Sequence, residues 1–217
     1  MTVAREAATT RHFYDRISRV YDFLSDRSEH ASRERGLLLL APAPGETLLE
    51  LGAGTGHGLE ALARATAPAG RVIGLDLSSG MLSVARERLA AEGLSHRVAL
   101  HAGDARHLPF ASGSFDGAFL SFTLELFEPE DRARVLAELS RTLRPGGRLA
   151  VVSMLAKEPH GLMVDLYQWL HRHFPHIVDC QPIDVAGCLK AGGFRVETLE
   201  ATRIFGLPVA EVLARRP

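Results

Sequence analysis

The chain has 217 residues, of which 46% are hydrophobic and 24% charged, with 25 Lys and Arg against 26 Asp and Glu and a formal charge of -1. That apolar fraction fills the core of one domain and excludes a disordered chain, a collagen-like repeat or a disulfide scaffold. The longest uninterrupted aliphatic stretch, Leu37 to Ala41, is far shorter than the ~20 residues a membrane-spanning helix needs, so any lipid contact is expected to be peripheral. The first residues, MTVAREAATTRH, contain no apolar core of a secretion signal, and Cys180 and Cys188 are the only cysteines; both facts point to the cytoplasm. Arginines and acids are interspersed rather than clustered, which argues against a nucleic-acid partner. Within the first 35 residues Arg5, Arg11, Arg16, Arg19, Arg27, Arg33 and Arg35 are nearly balanced by acids, the pattern expected of a solvated helical face.

Residues 1–41 read as an N-terminal helical cap that ends before Pro42, Pro44 and Gly45. From Thr47 short apolar runs alternate with longer segments of helical period, as in a parallel sheet covered by helices on both faces. Strands are expected at Thr47 to Leu51, Arg71 to Leu75, Val98 to His101, Phe115 to Ser121 and Arg148 to Ser153, with helices at about 58–66, from Ser78 or Ser79 to Gly93, and at 130–143. Beyond residue 157 the alternation breaks. Gly161 to His173 and Pro182 to Ala191 read as helices, Phe194 to Leu199 as a strand, and Pro208 to Arg215 as a last strand pairing with it. The expectation is a Rossmann-like α/β fold with a seven-stranded, mostly parallel sheet in a single domain over 1–217. Its parts are the cap (1–41), a cofactor-binding core (42–157), substrate-facing helices (158–192) and a terminal strand pair (193–217).

The informative segment is Leu48-Leu49-Glu50-Leu51-Gly52-Ala53-Gly54-Thr55-Gly56-His57-Gly58, a strand that runs into a glycine-dense turn and then a helix. In such sheets ligands bind at the carboxyl ends of the strands, and Gly52, Gly54 and Gly56 allow a ligand to lie against the main chain. The G-x-G-x-x-G dinucleotide fingerprint fails in both registers, since His57 or Leu59 occupies the sixth position, and no Gly-Lys-Ser/Thr phosphate loop follows. Glu50 before the turn would repel a pyrophosphate and attract a cation such as an ammonium or sulfonium. Asp76, at the tip of the second strand, is placed to accept hydrogen bonds from ribose hydroxyls. Asp104 in Gly103-Asp104-Ala105 is placed to accept from an adenine amine, with Leu77 or Met81 over the ring.

Together these blocks resemble class I S-adenosylmethionine-dependent methyltransferases, with corresponding segments at Leu48–Gly58, Gly74–Met81, Gly103–Phe110, Phe115–Phe127 and Leu143–Ala150. Tyr14-Asp15 and Tyr21-Asp22 resemble the N-terminal signature of the branch containing the ubiquinone and menaquinone biosynthesis methyltransferases and the phosphatidylethanolamine N-methyltransferases. The resemblance implies S-adenosylmethionine as cofactor and S-adenosylhomocysteine as product. It places Glu50 and the glycine turn of Gly52, Ala53, Gly54 and Gly56 at the methionine part, Asp76 at the ribose, Asp104 and Ala105 at the adenine after Gly103, with Met81 or Leu77 over its ring, and Ser121 and Phe122 beside the reactive methyl. Tyr14 and Tyr21 would come from the cap, although their seven-residue spacing equally suits core aromatics.

Glu125 follows the fourth strand among apolar residues; if it faces the pocket, burial would raise its pKa into the range of a general base. His171 and His173 are further candidates for that role, with Trp169 and Phe174 as apolar acceptor surface. The spacing of His171, His173 and His176 does not match a helical metal pair, and no metal is expected. The acceptor is expected to be small and hydrophobic or lipid-like, either a quinone ring carbon or a phospholipid amine, and the chain a monomer or homodimer. The alternatives are a non-catalytic S-adenosylmethionine-binding protein and, disfavoured by the missing glycine, a nicotinamide-dependent oxidoreductase.

Overall fold

The computed structural model describes residues 29–156, 182–204 and 206–217. A helix over 29–40 (α1) precedes strand β1 (Thr47–Leu51), helix α2 (His57–Ala65), strand β2 (Arg71–Asp76), helix α3 (Ser79–Ala91) and strand β3 (Val98–Ala102). Then come β4 (Phe115–Ser121), a 3-10 turn at Leu124–Leu126, α4 (Pro129–Thr142), β5 (Leu143–Met154), α5 (Val185–Ala191), β6 (Arg195–Ile204) and β7 (Leu207–Arg215). The seven strands form one sheet in the order β3-β2-β1-β4-β5-β7-β6. All neighbours from β3 to β5 are parallel, while β7 runs antiparallel to both β5 and β6. The expected fold class and the closing strand pair are therefore present.

Local chemistry sets the boundaries. Ser78 caps α3 by accepting from the Met81 amide at 3.0 Å, and Pro129 stands at the start of α4, where its missing N–H costs nothing. Asp184 caps α5 through the Gly187 amide at 2.9 Å, which moves the start of this helix inward from the expected Pro182. β5 is longer than expected, because Leu143 already pairs with Phe115 before an irregularity at Arg144-Pro145-Gly146-Gly147, where Gly146 takes φ 75°, and pairing resumes at Arg148 with Gly117. The cap is described only from residue 29; its earlier part and residues 157–181 lie outside the described residues.

Strand alternation divides the core in two. Leu49, Leu51, Ala118, Leu120, Leu149 and Val151 face α4 and α5, and Leu48, Val72, Phe119, Ala150 and Val152 face α1, α2 and α3. Helix α1 lies close on the second face, where a Cβ on Gly36 would stand 2.4 Å from Val152 Cγ2 and 2.9 Å from Phe119 Cε2. In this helix Arg33 is a correction to the solvated-face expectation. It is 8% exposed and belongs with Gly36, Leu37 and Leu40 on the inward stripe, set by their three- and four-residue spacings. Edge strand β6 carries Arg195 and Glu197 outward, charges that discourage pairing with another sheet.

Gly36→Ala should force the helix away from a β-branched side chain that cannot swing aside and cost about 1–3 kcal/mol. Urea unfolding would register this as a lower midpoint with an unchanged slope; an unchanged midpoint would mean that α1 is not seated as described.

Candidate functional site

The strand order reverses at β1, whose neighbours β2 and β4 lead away to opposite edges, so the loops after β1 and β4 diverge there and leave a crevice. The turn after β1 is folded by glycine. Gly52, Gly54 and Gly56 all adopt positive φ, at 67°, 51° and 89°, and the Gly52 amide donates to the Leu75 carbonyl at 2.8 Å. At Gly54 an added Cβ would meet nothing closer than 4.0 Å, so the absent side chain leaves open space above the turn. Gly58 serves a different need, since a Cβ there would lie 2.1 Å from Glu50 Oε1. Its bare backbone lets the first turn of α2 close over the carboxylate.

Asp76 joins this turn to β2. Its Oδ2 accepts from the Gly54 amide and its Oδ1 from the Ser78 amide, both at 2.8 Å. Each carboxylate oxygen thus takes a backbone donor, and the two donors fix the rotamer. Leu77 is half-buried beside it, and Met81 is nearly fully buried in the first turn of α3. Gly103 follows β3 and donates its amide to the Asp76 carbonyl at 2.9 Å, which brings Asp104 and the buried Ala105 alongside. The Asp104 carboxylate is turned onto Arg106, with contacts of 2.6–3.0 Å, and Arg106 also reaches Asp131 at the start of α4 at 2.6 Å. Burial works against ionisation of Asp104, but Arg106 outweighs it and holds the carboxyl below its ordinary range.

Glu50 is 3% exposed, and its Oε2 has no hydrogen-bond partner. Burial is the main reason its pKa is pushed up to about 8; Arg33 pulls it down and Asp76 pushes it further up. A buried carboxylic acid with an open oxygen, at the lip of a glycine cradle, is complementary to a cation that displaces its proton. That arrangement fits the sulfonium and α-ammonium of S-adenosylmethionine, as the nucleoside end fits Asp76.

Beyond β4 the backbone is strained. Phe122 takes φ 49°, a left-handed conformation that costs a bulky residue about 1 kcal/mol or more, while its amide donates to the Val152 carbonyl at 2.8 Å. Thr123 donates its hydroxyl to the Ser121 carbonyl at 2.9 Å and packs against Gly52 so closely that a Cβ there would lie 2.2 Å from Oγ1. The post-β4 loop and the glycine turn are thus one interlocked unit. Glu125, 2% exposed, accepts from the Met154 amide at 3.0 Å and leaves Oε2 unpartnered. Burial raises its pKa to about 7, moderated by the amides of Glu125 and Met154, the Ser153 hydroxyl and Arg132.

The structure therefore gathers Glu50, Gly52, Ala53, Gly54, Gly56, Asp76, Leu77, Met81, Gly103, Asp104, Ala105, Ser121, Phe122 and Glu125 around the carboxyl ends of β1 to β4. Tyr14, Tyr21, His171 and His173 lie outside the described residues. Arg33 and Thr123 were not anticipated. Arg33 shared a readable helical stripe with Leu37 and Leu40, whereas nothing in the sequence marks Thr123. Among the described residues no group of three or more potential ligands could hold a metal, and no helix is long and apolar enough to cross a membrane.

Residues 48–147 match the family described as Methyltransferase domain. The matched segment is under half of the chain and is similar to methyltransferase domains. Among curated relatives, the demethylmenaquinone methyltransferase of Lactiplantibacillus plantarum is 32% identical over 156 residues, covering 72% of this chain and 63% of its own. The arsenite methyltransferase of Halobacterium salinarum is 35% identical over 161 residues, 74% of this chain and 37% of its own. Among solved structures, the [4+2]-cyclase SpnF superposes with a TM-score of 0.71 at 21% identity, covering 87% of this chain and 82% of that one, a likeness of fold. The chain spans from about a quarter to under two thirds of the length of the first curated relatives it matches, 26% at the least and 63% at the most.

Two outcomes follow. Asp76→Ala removes the carboxylate that orients Gly54 and that the sequence assigns to a ribose, so S-adenosylmethionine should bind at least about tenfold more weakly by calorimetry; unchanged affinity would remove Asp76 from the site. Folded Glu50 keeps its proton where an unfolded chain has lost it, so stability falls as pH rises from 4.5 to about 8. At about 1.4 kcal/mol per decade the full loss is ~5 kcal/mol. Glu50→Gln should therefore be the more stable protein at pH 9, with the difference closing near pH 4.5, as read from thermal melts; parallel pH profiles would show that Glu50 is not held protonated.

Proposed function

We propose that the protein transfers the methyl group of S-adenosylmethionine to a small hydrophobic acceptor, and that the acceptor atom is a ring carbon of a reduced quinone rather than a phospholipid amine. S-adenosylmethionine, when bound, supplies a methyl carbon already activated by its positively charged sulfur. The protein's task is then orientation, to hold the acceptor atom, methyl and sulfur in line at near-contact distance. Gly54 and Asp76 fix the nucleoside end, Glu50 meets the cationic end, and Ser121 and Phe122 border the methyl.

The observation that carries the choice of acceptor is Glu125. A ring carbon that gains a methyl must lose its own hydrogen as a proton, so a carbon acceptor needs a base, whereas an amine need only arrive neutral. Glu125 is the buried acid of the post-β4 loop with a pKa raised to about 7 and an open oxygen, a group that takes a proton near neutral pH. Its apolar neighbours Phe122, Leu124 and Met154 suit an aromatic or prenylated acceptor, and the demethylmenaquinone methyltransferases among the relatives act, by name, on such a compound. His173 and the segment 158–192 are proposed to complete the acceptor side, with Tyr14 and Tyr21 closing over the cofactor.

The test supplies the protein with S-adenosylmethionine and either demethylmenaquinol in detergent or phosphatidylethanolamine vesicles, and follows S-adenosylhomocysteine and the mass of the product. Methylated quinol is the expected product, with turnover rising as pH passes about 7. In Glu125→Gln, kcat should drop about a hundredfold and lose that pH dependence while cofactor affinity stays normal. Methylated phospholipid alone would move the acceptor atom to nitrogen, and full activity of the variant would remove Glu125 as the base.

A further inference from the structure

Glu50 and Glu125 are not the only buried acids with an open oxygen. Glu211, in the middle of β7, has 0% exposure; its Oε1 accepts from the Thr202 hydroxyl of β6 at 2.6 Å, and its Oε2 has no partner. Thr202 Oγ1 in turn lies 3.3 Å from Ser32 Oγ of α1. No cation pairs with Glu211 among the described residues, so the carboxylate sits in a nest of hydroxyls under the helix.

Register fixes where this nest lies. Ser121 of β4 pairs with Val152 of β5, and Val152 pairs with Glu211 of β7. Directly paired residues point to the same face, so the row Ser121–Val152–Glu211 faces α1. Glu50 shares that face, since it pairs with Phe119, two residues before Ser121. The row lies two residues from the end of β5 at Met154, close to the rim on which the methyl-transfer site opens. With strands about 4.8 Å apart, Glu211 stands ~10 Å from Ser121's strand, on the side away from β1 and the nucleoside end. A glutamate side chain spans part of that distance, and a bicyclic acceptor above Ser121 spans the rest.

We propose that Glu211, set by Thr202 and Ser32, is an acceptor subsite that takes a hydrogen bond from a hydroxyl of a phenol- or hydroquinone-type substrate. A buried carboxylate oxygen lacking a donor is costly in the free protein and is satisfied when a ligand brings the donor. A neutral hydroxyl suits a site whose existing partner is itself a hydroxyl, because no ligand charge has to be stripped of water. This inference rests on the acceptor lying over β4 and β5, as in the proposed function.

The test uses the protein loaded with S-adenosylhomocysteine and two probes of the same shape, 1,4-dihydroxynaphthalene kept anaerobic and 1,4-dimethoxynaphthalene, which cannot donate. Calorimetry should show wild-type protein preferring the dihydroxy probe about tenfold. Glu211→Gln should abolish the preference by weakening that probe alone, with the dimethoxy probe and S-adenosylhomocysteine bound as before. Thr202→Val, on the edge strand, should reduce the preference because Oε1 loses its anchor, and provides a second variant should the glutamine protein fold poorly. A preference that survives in both variants, or its absence in wild type, would overturn the subsite alone. Failure of both probes to bind wild type would overturn both the subsite and the ring-type acceptor.

Discussion

The hydrogen bond from the Gly54 amide to Asp76 is the contact on which the site depends, because it ties the turn after β1 to the tip of β2. The glycine run is also held by the Gly52 and Ala53 amides on the Leu75 carbonyl, but Gly54 is fixed through Asp76: three residues at positive φ have more freedom to lose than any others, and fixed partners make their conformation single-valued. Asp76 is itself held by the Ser78 amide, Ser78 caps α3, and Gly103 donates to the Asp76 carbonyl. The glycine turn, Asp76 and the loop at Gly103 are consequently parts of one hydrogen-bonded seam across the ends of β1, β2 and β3. Thr123 against Gly52 extends the seam to β4, so the cofactor side and the acceptor side cannot be displaced independently.

This seam lies over three carboxylic acids, Glu50, Glu125 and Glu211, that the fold buries with no counter-ion bonded to them among the described residues. Such burial is unfavourable for the free chain, and the sheet tolerates it because both faces are otherwise filled with leucine, valine and phenylalanine. Arg33, inward on α1, moderates Glu50 electrostatically. The helix that precedes the sheet in sequence thereby contributes charge as well as apolar cover, and the free site keeps an unmet demand for positive charge or donors that a ligand can fill.

Much of this was legible in the sequence because the patterns that carry it are local. Strand β1, the glycine turn, the cap of α3 at Ser78 and the strand character of 207–215 follow from apolar runs, turn chemistry and spacing within a dozen residues. What was not legible depends on pairing between distant strands. Glu211 lies within Val209-Ala210-Glu211-Val212-Leu213, where nothing in the sequence marks it, and its place beside Val152 and level with Ser121 exists only once β7 inserts between β5 and β6. The burial of Glu50 beneath Gly58, the turn of Asp104 onto Arg106 and the left-handed Phe122 are likewise outcomes of packing, since each depends on what an adjacent loop brings within a few ångströms.

Glu50 and Glu125 show how such packing separates two acids that the sequence presents alike. Both follow or end a strand, both lie among leucines, and both are almost wholly buried. Burial raises each, yet Glu125 settles lower because two amides, the Ser153 hydroxyl and Arg132 favour its ionised form, while Glu50 has the opposing charges of Arg33 and Asp76. A carboxyl raised by burial can exchange a proton at neutral pH, as the base of the proposed function must, and a buried acid beside the glycine turn gains from a cation that displaces its proton. Divergent environments around paired carboxyl groups are how one fold assigns different tasks to the same side chain. Here the division runs along β1 and β4, the strands whose diverging ends open the crevice, and it is on this division that the proposed function gives Glu50 the cofactor's charge and Glu125 the acceptor's proton.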